Sequence, residues 1–312
     1  MLRMPLTGKL LLVILGATAV GKTALSLSLA SALNGEIVGA DSRQVYRYMD
    51  IGTAKPSAEE RAFVPHHLID IVDPDQNLSA AQYQRLAYAA IDAIHARGRL
   101  PLLVGGTGQY ISAVIEGWTM PEVPPNPALR AELEAFAQAH GLEALGARLL
   151  ALDPDSAGFI DLRNPRRIIR ALEVSIETGQ PFSAQRGKMP PGYRVLQIGL
   201  TMERDALYAR ADARFDAMMA EGFLDEVRRL LSMGYARSLP SMSGLGYAQL
   251  AAHLLDGVPL TEAVAAGKQA THDFIRRQYT WFRKYNADAV WLTPEQTAEA
   301  QAVARHWLED EA

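Results

Sequence analysis

The chain has 312 residues, enough for one large or two modest domains, and its 49% hydrophobic and 21% charged content is ordinary for a globular protein. The absence of cysteine excludes disulfides, thiolate zinc sites and cysteine nucleophiles, and fits a cytoplasmic location. The formal charge of −4 gives no global attraction to nucleic acid, no run reaches the roughly 18 apolar residues of a membrane span, and no secretory signal pattern opens the chain, so RNA contact would need local basic patches and no membrane partner is expected.

Residues 10–15 (LLLVIL) form a continuous apolar run that predicts a strand buried on both faces. Residues 24–33 (ALSLSLASAL) predict a helix stopped by Asn34-Gly35. Between them, Gly16-Ala17-Thr18-Ala19-Val20-Gly21-Lys22-Thr23 fits G-x-x-x-x-G-K-[ST] in the strand–loop–helix setting the motif requires. Such a loop is an anion cradle, because backbone N–H groups point inward and the helix dipole favours negative charge. Lys22 adds a point charge for terminal phosphates, and the Thr23 hydroxyl is placed to ligate Mg²⁺. The chain is therefore expected to bind a di- or triphosphate, ATP among the candidates.

Further strands are expected at residues 36–40 and 100–104, with a helix capped by Ser79 and ending at Gly98 between them. This alternation implies an α/β fold with a P-loop NTPase-like parallel sheet covered on both faces by helices, and ligands outside the carboxyl ends of the strands. Asp41 ends the second strand, where it could face the phosphate site as metal ligand or general base, or merely cap the next helix. The strand at 100–104 exits into Gly105-Gly106-Thr107-Gly108 where a Walker-B carboxylate would ordinarily stand. Thr107 could cap a helix or bind a phosphate or nucleoside. His66-His67 have no third ligand nearby and read as structural.

A proline-rich break at residues 121–127 opens a strand-poor stretch to about residue 191, which predicts an inserted all-helical domain (121–191) within a catalytic core (1–120 and 192–312). The core resumes with a strand at 194–200, a helix at 203–220, another helical stretch through Met233, a long helix at 261–285, a short strand at 289–292 and a C-terminal helix. Arg210 and Arg214, four residues apart, share a face as an arginine clamp or pair with Asp212 and Asp216. Residues 163–170 are basic, and residues 276–285 interleave four cations with four aromatics, a pattern that suits stacked bases and phosphates.

The segments DSRQVYRYMDIGTAKP (41–56), PHHLID (65–70), LVGGTGQY (103–110), NPRRIIRALEV (164–174) and RRQYTWFR (276–283) resemble the tRNA dimethylallyltransferases, the bacterial isopentenyl-tRNA transferase family. Residues 50–56 are highly specific, far more so than the P-loop. The resemblance implies transfer of a dimethylallyl group from dimethylallyl diphosphate to N6 of adenosine 37 in tRNAs that read codons beginning with U. It implies Asp41 as general base, with Lys22, Thr23 and its Mg²⁺, the P-loop amides and Arg214 on the diphosphate, and Thr107 near diphosphate and target nucleoside. It further implies contacts to the anticodon stem-loop from Asp41, Ser42, Arg43 and Gln44, from Pro165, Arg166, Arg167, Ile168 and Ile169, and from Gly244, Leu245, Gly246, Tyr247, Ala248 and Gln249. Arg276, Arg277, Gln278, Tyr279, Thr280, Trp281, Phe282 and Arg283 complete that surface. Gly108-Gln109 stand where some members carry bulkier residues. The chain is expected to work as a monomer. Its rivals are a small-molecule P-loop kinase and a nucleotide-switched RNA-binding module.

Overall fold

The computed structural model describes residues 9–310. The reading of the extreme N-terminus as free of a signal peptide lies outside those residues. In chain order the elements are β1 (Lys9–Gly16), α1 (Lys22–Ala32), β2 (Gly35–Gly39), α2 (Ala58–Phe63), β3 (His66–His67), α3 (Ala80–Ala96), β4 (Leu100–Gly105), α4 (Gly108–Ile115), β5 (Trp118–Thr119), α5 (Pro127–Leu152), α6 (Pro165–Thr178), β6 (Gly187–Lys188), β7 (Tyr193–Leu200), α7 (Arg204–Ala220), α8 (Phe223–Ser232), α9 (Tyr247–Asp256), α10 (Leu260–Tyr285), β8 (Val290–Leu292) and α11 (Thr297–Glu309). Six strands form one sheet in the order β3-β2-β4-β1-β7-β8, parallel throughout.

The apolar run of β1 is explained by its place at the middle of this sheet. Successive side chains point to opposite faces. Leu10, Leu12 and Ile14 pack on one face with Leu25 and Leu29 of α1, Leu207 of α7 and Ala300 and Ala304 of α11. Leu11, Val13 and Leu15 pack on the other with Tyr83, Ala87 and Ile91 of α3 and Ile111 and Val114 of α4. The helix expected at residues 24–33 starts two residues earlier, at Lys22, because Gly21 at φ 108 turns the loop directly into it. It stops where Asn34 adopts φ 54, a left-handed conformation that asparagine tolerates. α3 is closed by a capping box in which the Ser79 side chain accepts from the Gln82 amide and Gln82 returns a bond to the Ser79 amide.

The chain divides into two compact units, one running up to Ile115 and resuming at Pro191, the other Glu116–Pro190. The first division falls at Glu116 instead of residue 121, because β5 pairs antiparallel with β6 and draws residues 116–120 into the smaller unit. That short ladder also qualifies the all-helical expectation. Otherwise the smaller unit is α5 packed on α6 through Leu133, Leu145, Leu149, Ile168, Ile169 and Leu172. Glu173, buried between these helices, accepts from Arg130, Arg170 and the Asn126 amide. Burial would raise its carboxyl, but those hydrogen bonds outweigh the burial and hold it down to about 2. No helix among the described residues is long and apolar enough to cross a membrane.

Candidate active site

The exits of β1, β2 and β4, adjacent in the sheet, meet at its carboxyl edge. The β2 and β4 exits are tied together by hydrogen bonds from the Ala40 amide to the Val104 carbonyl (2.7 Å) and from the Thr107 amide to the Ala40 carbonyl (3.1 Å). A side chain at Gly105 would put its Cβ 2.0 Å from the Ala40 carbonyl oxygen, so this crossing needs glycine. The Ser42 amide donates to the Thr107 hydroxyl at 2.9 Å, and that hydroxyl donates to Ser42 Oγ at 3.3 Å. Thr107 thus starts α4 with its carbonyl, which accepts from Tyr110 and Ile111, while its side chain holds the Asp41 loop. Asp41 Oδ1 accepts from the amides of Arg43 (2.8 Å) and Gln44 (3.4 Å), which fixes the carboxylate's orientation.

Lys22 curls back over the P-loop and donates to the carbonyls of Gly16 (3.0 Å) and Ala17 (2.7 Å). Burial lowers its ammonium pKa to about 8, with Asp41 partly countering that effect and Arg214 adding to it. Arg214 is shifted downward by burial and by Arg210, against an opposing pull from Asp41. Asp41, Lys22 and Arg214 therefore share one electrostatic neighbourhood. The alternative partners for the two arginines are engaged elsewhere: Asp212 takes His272 at 2.8 Å and Asp216 takes Lys268 at 2.7 Å.

Arg214 also lines two clefts. The smaller is bounded by P-loop residues Thr18 and Ala19, by Gly52 and Ala54, and by Phe215, Phe223 and Leu245. The other, about 1090 Å³ and open to solvent, is bounded by Thr23, Asp50, Lys55, Glu60 and Arg61. Thr23 carries a hydroxyl that no described side chain engages, a hard oxygen of the kind Mg²⁺ takes alongside phosphate oxygens and water. Among the described residues no group of three or more His, Asp or Glu side chains could hold a metal, so an ion beside Thr23 would take most of its ligands from bound phosphate and water.

The highly specific segment at residues 50–56 opens with a backbone nest. The amides of Asp50, Ile51 and Gly52 donate to the Glu226 carboxylate at 2.8, 2.8 and 3.1 Å, and the Tyr247 hydroxyl donates to the same group at 2.6 Å. A Cβ at Gly52 would sit 2.1 Å from the Phe223 ring. Lys55 is buried and bridges Asp50 (2.6 Å) and Asp70 (2.5 Å). Glu226 gave no sign of this in the sequence, where it is one of several charges on the amphipathic LDEVRR stretch of α8.

Of the residues expected to meet RNA, Pro165, Arg166 and Arg167 are exposed on the first turn of α6, behind an Asn164 cap. Arg276, Arg277, Thr280 and Arg283 are exposed on α10, Tyr279 and Trp281 partly so, and Ala248 is exposed on α9. The side chains of Ile168, Ile169, Tyr247, Gln278 and Phe282 are buried, because the helical period turns them into the core. Arg43 and Gln44 are committed to the protein, Arg43 to the Pro240 carbonyl (2.6 Å) and Gln44 to the carbonyls of Thr53 and Ala54. Leu245 lines the smaller cleft, between the buried Gly244 and Gly246. His66 and His67 bond to the Val64 carbonyl (2.7 Å) and the Glu36 carboxylate (2.6 Å).

The IPP transferase family model matches residues 44–285. A tRNA dimethylallyltransferase of Roseiflexus castenholzii is 57% identical, covering 95% of this chain and 97% of that protein. Among solved structures, a full-length tRNA isopentenylpyrophosphate transferase from Bacillus halodurans superposes with a TM-score of 0.72 at 43% identity, covering 97% of each chain. A eukaryotic dimethylallyltransferase acting on tRNA superposes with a TM-score of 0.77 at 25% identity, over 94% of this chain and 77% of that one. With its P-loop, its parallel sheet and a match over most of its length, the chain belongs to the IPP transferase family.

Proposed function

We propose that this protein transfers a dimethylallyl group from dimethylallyl diphosphate to N6 of adenosine 37 in tRNAs that read codons beginning with U. The observation that carries this reading is the shared electrostatic neighbourhood of Asp41 and Lys22, which follow the exits of β2 and β1, with Arg214 of α7. A proton acceptor and a diphosphate cradle stand together there, and the exit of β4 is Gly105-Gly106-Thr107 where an NTPase would carry a Walker-B carboxylate.

The exocyclic amine of adenine is a weak nucleophile because its lone pair is delocalised into the ring. As its nitrogen bonds to C1 of the prenyl group, Asp41 accepts the N6 proton. The C1–O bond breaks, and its electron pair leaves with diphosphate. Lys22, Arg214 and the P-loop amides stabilise that leaving charge. Mg²⁺ held by Thr23 would neutralise further charge on the diphosphate oxygens. Thr107 holds the Asp41 loop through Ser42, which keeps the carboxylate aimed. The target adenosine lies in a loop, so it can be unstacked at modest cost.

The exposed arginines of α10 would grip phosphates of the anticodon stem-loop, and Pro165, Arg166 and Arg167 of the smaller unit would contact it as well. The enzyme would act as a monomer in the cytoplasm, where its tRNA substrates are. Incubation with dimethylallyl diphosphate, Mg²⁺ and an anticodon stem-loop carrying adenosines at positions 36 to 38 tests the proposal. The expected product is a stem-loop heavier by one prenyl group at adenosine 37. An unchanged mass would overturn the assignment.

A further inference from the structure

Gln278 lies in the middle of the basic-aromatic segment of α10, yet it is only 5% exposed. Its Oε1 accepts the Thr18 amide at 2.9 Å and its Nε2 donates to the Gly106 carbonyl at 2.8 Å. One side-chain amide thus spans the loops that leave β1 and β4. The Thr18 amide is committed to protein, so it is not among the P-loop donors open to an anion. That N–H belongs to the same peptide plane as the Ala17 carbonyl, and in a trans peptide the two point in opposite directions. The Ala17 carbonyl is the closer of the two acceptors that seat the Lys22 ammonium, at 2.7 Å.

We propose that Gln278 is a positioning residue for the P-loop: by holding the Thr18 amide it fixes the Ala17–Thr18 peptide plane, and through the Ala17 carbonyl it seats Lys22 for the diphosphate. Gly106 is part of the same device. A Cβ there would lie 2.5 Å from Gln278 Nε2 and 3.5 Å from Lys22 Nζ, so the glycine leaves room for the amide and the ammonium together. Gln278 sits one turn from Trp281, whose ring would lie 2.2 Å from a Cβ at Gly108. The buried face of α10 therefore braces both glycines that flank Thr107, while Arg276, Arg277, Thr280 and Arg283 occupy the exposed face.

The inference rests on the P-loop being the diphosphate cradle, and inorganic diphosphate with Mg²⁺ probes it without any prenyl transfer. Calorimetry on the full chain would compare the native protein with Gln278→Met, which keeps the volume and removes both hydrogen bonds. The expected result is a loss of about tenfold in diphosphate affinity, from buried polar groups left unpaired beside the ligand, with anticodon stem-loop affinity unchanged. A folded Gln278→Met that binds diphosphate normally, or that loses RNA affinity instead, would overturn the proposal. Gly106→Ala keeps Gln278 but displaces its amide, and should weaken diphosphate binding in the same direction. If Gln278→Met does not fold, Gly106→Ala decides, and loss of fold in both overturns positioning in favour of a purely structural role. No binding of diphosphate by the native protein would instead overturn the cradle itself.

Discussion

Two loops of the larger unit use the same device to opposite ends. Asp50–Gly52 turns three successive backbone amides onto one anion, and Gly16–Thr23 carries the glycine-loop motif whose amides cradle phosphate, with its Thr18 amide held by Gln278. The first loop stands at the head of α1, with Lys22 and Arg214 around it and two clefts opening beside it. The second is filled by the chain's own anion, Glu226, which is 2% exposed and has no cationic partner among the described residues. Tyr247 completes that shell, its hydroxyl pKa driven well above the tyrosine range by burial and then by the Glu226 charge. A nest is a substrate site only where the fold supplies no internal anion for it. The second nest serves the first indirectly, since Gly52, Thr53 and Ala54 form a wall of the cleft that Thr18 and Ala19 also line.

The largest effect should come from the chemistry beside the first nest. Asp41→Ala removes the proposed proton acceptor while leaving the P-loop and the exposed arginines in place. Single-turnover rates with both substrates saturating should fall by about 10²–10⁴-fold. Affinity for the stem-loop should stay near the native value, because Asp41 Oδ1 is engaged by its own loop. An unchanged rate would remove Asp41 from the mechanism.

Breaking the second nest should cost stability first. Glu226→Gln replaces an acceptor-only carboxylate by a group that turns donors toward donors. A loss of about 2–4 kcal/mol in chemical denaturation is expected, the scale for disrupting a buried charge-assisted network. In the fraction that folds, KM for dimethylallyl diphosphate should rise as the cleft wall loosens. Native stability in Glu226→Gln would show that the three amides do not need the charge. Gly52→Ala should cost about 1–3 kcal/mol by overpacking, since its Cβ would lie 2.1 Å from the Phe223 ring.

The contrast between the nests also explains what could be read from the sequence. The P-loop announces itself because its motif has a fixed spacing and a required context of buried strand and helix, both visible in LLLVIL and in the helical run after Lys22. The parallel sheet was legible for the same reason: strands buried on both faces show as unbroken apolar runs at residues 10–15 and 100–104. Glu226 was not legible, because a carboxylate on an amphipathic helix looks the same whether it faces water or three amides. Nor was the role of Gln278, since RRQYTWF reads as basic and aromatic in composition while the helical period divides it into a buried face and an exposed one. The pairing of β5 with β6 is set by contacts across some seventy residues, which leave no local pattern.

The ammonium of Lys22 gives a smaller and pH-graded effect on the first nest. A lysine whose pKa is lowered to about 8 loses its charge as pH rises through that value, and only the charged form attracts diphosphate. Diphosphate affinity in the native protein should therefore be flat below about pH 7.5 and decline above 8, approaching tenfold per pH unit while the bound form keeps its proton. Lys22→Arg should bind more weakly than native at pH 7, because a planar guanidinium cannot take the seat between the Gly16 and Ala17 carbonyls, but its affinity should not fall between pH 8 and 9. A native profile flat to pH 9.5 would show that Lys22 stays charged in the free protein.

The smallest expected effect separates amide nests from a third way of holding anions, by flexible cations in water. Arg276 and Arg277 lie on the exposed face of α10, and neither is idle there. Arg276 pairs with Asp273 and with the Tyr208 hydroxyl, while Arg277 lies 5.6 Å from the Phe274 ring centre. An RNA phosphate would have to draw Arg276 from Asp273, an exposed ion pair screened by water and salt, so the cost is low but not zero. Arg277 pairs with no carboxylate among the described residues and should contribute more. The logarithmic salt dependence of stem-loop binding should lose about 0.7 of slope for each arginine that contacts a single-stranded phosphate. Diphosphate binding in the cradle should keep its own salt dependence in Arg276→Ala and Arg277→Ala, because the α10 arginines are not part of it. A stem-loop slope that does not move in Arg277→Ala would take this face of α10 out of the RNA interface and leave anion binding to the amide nests.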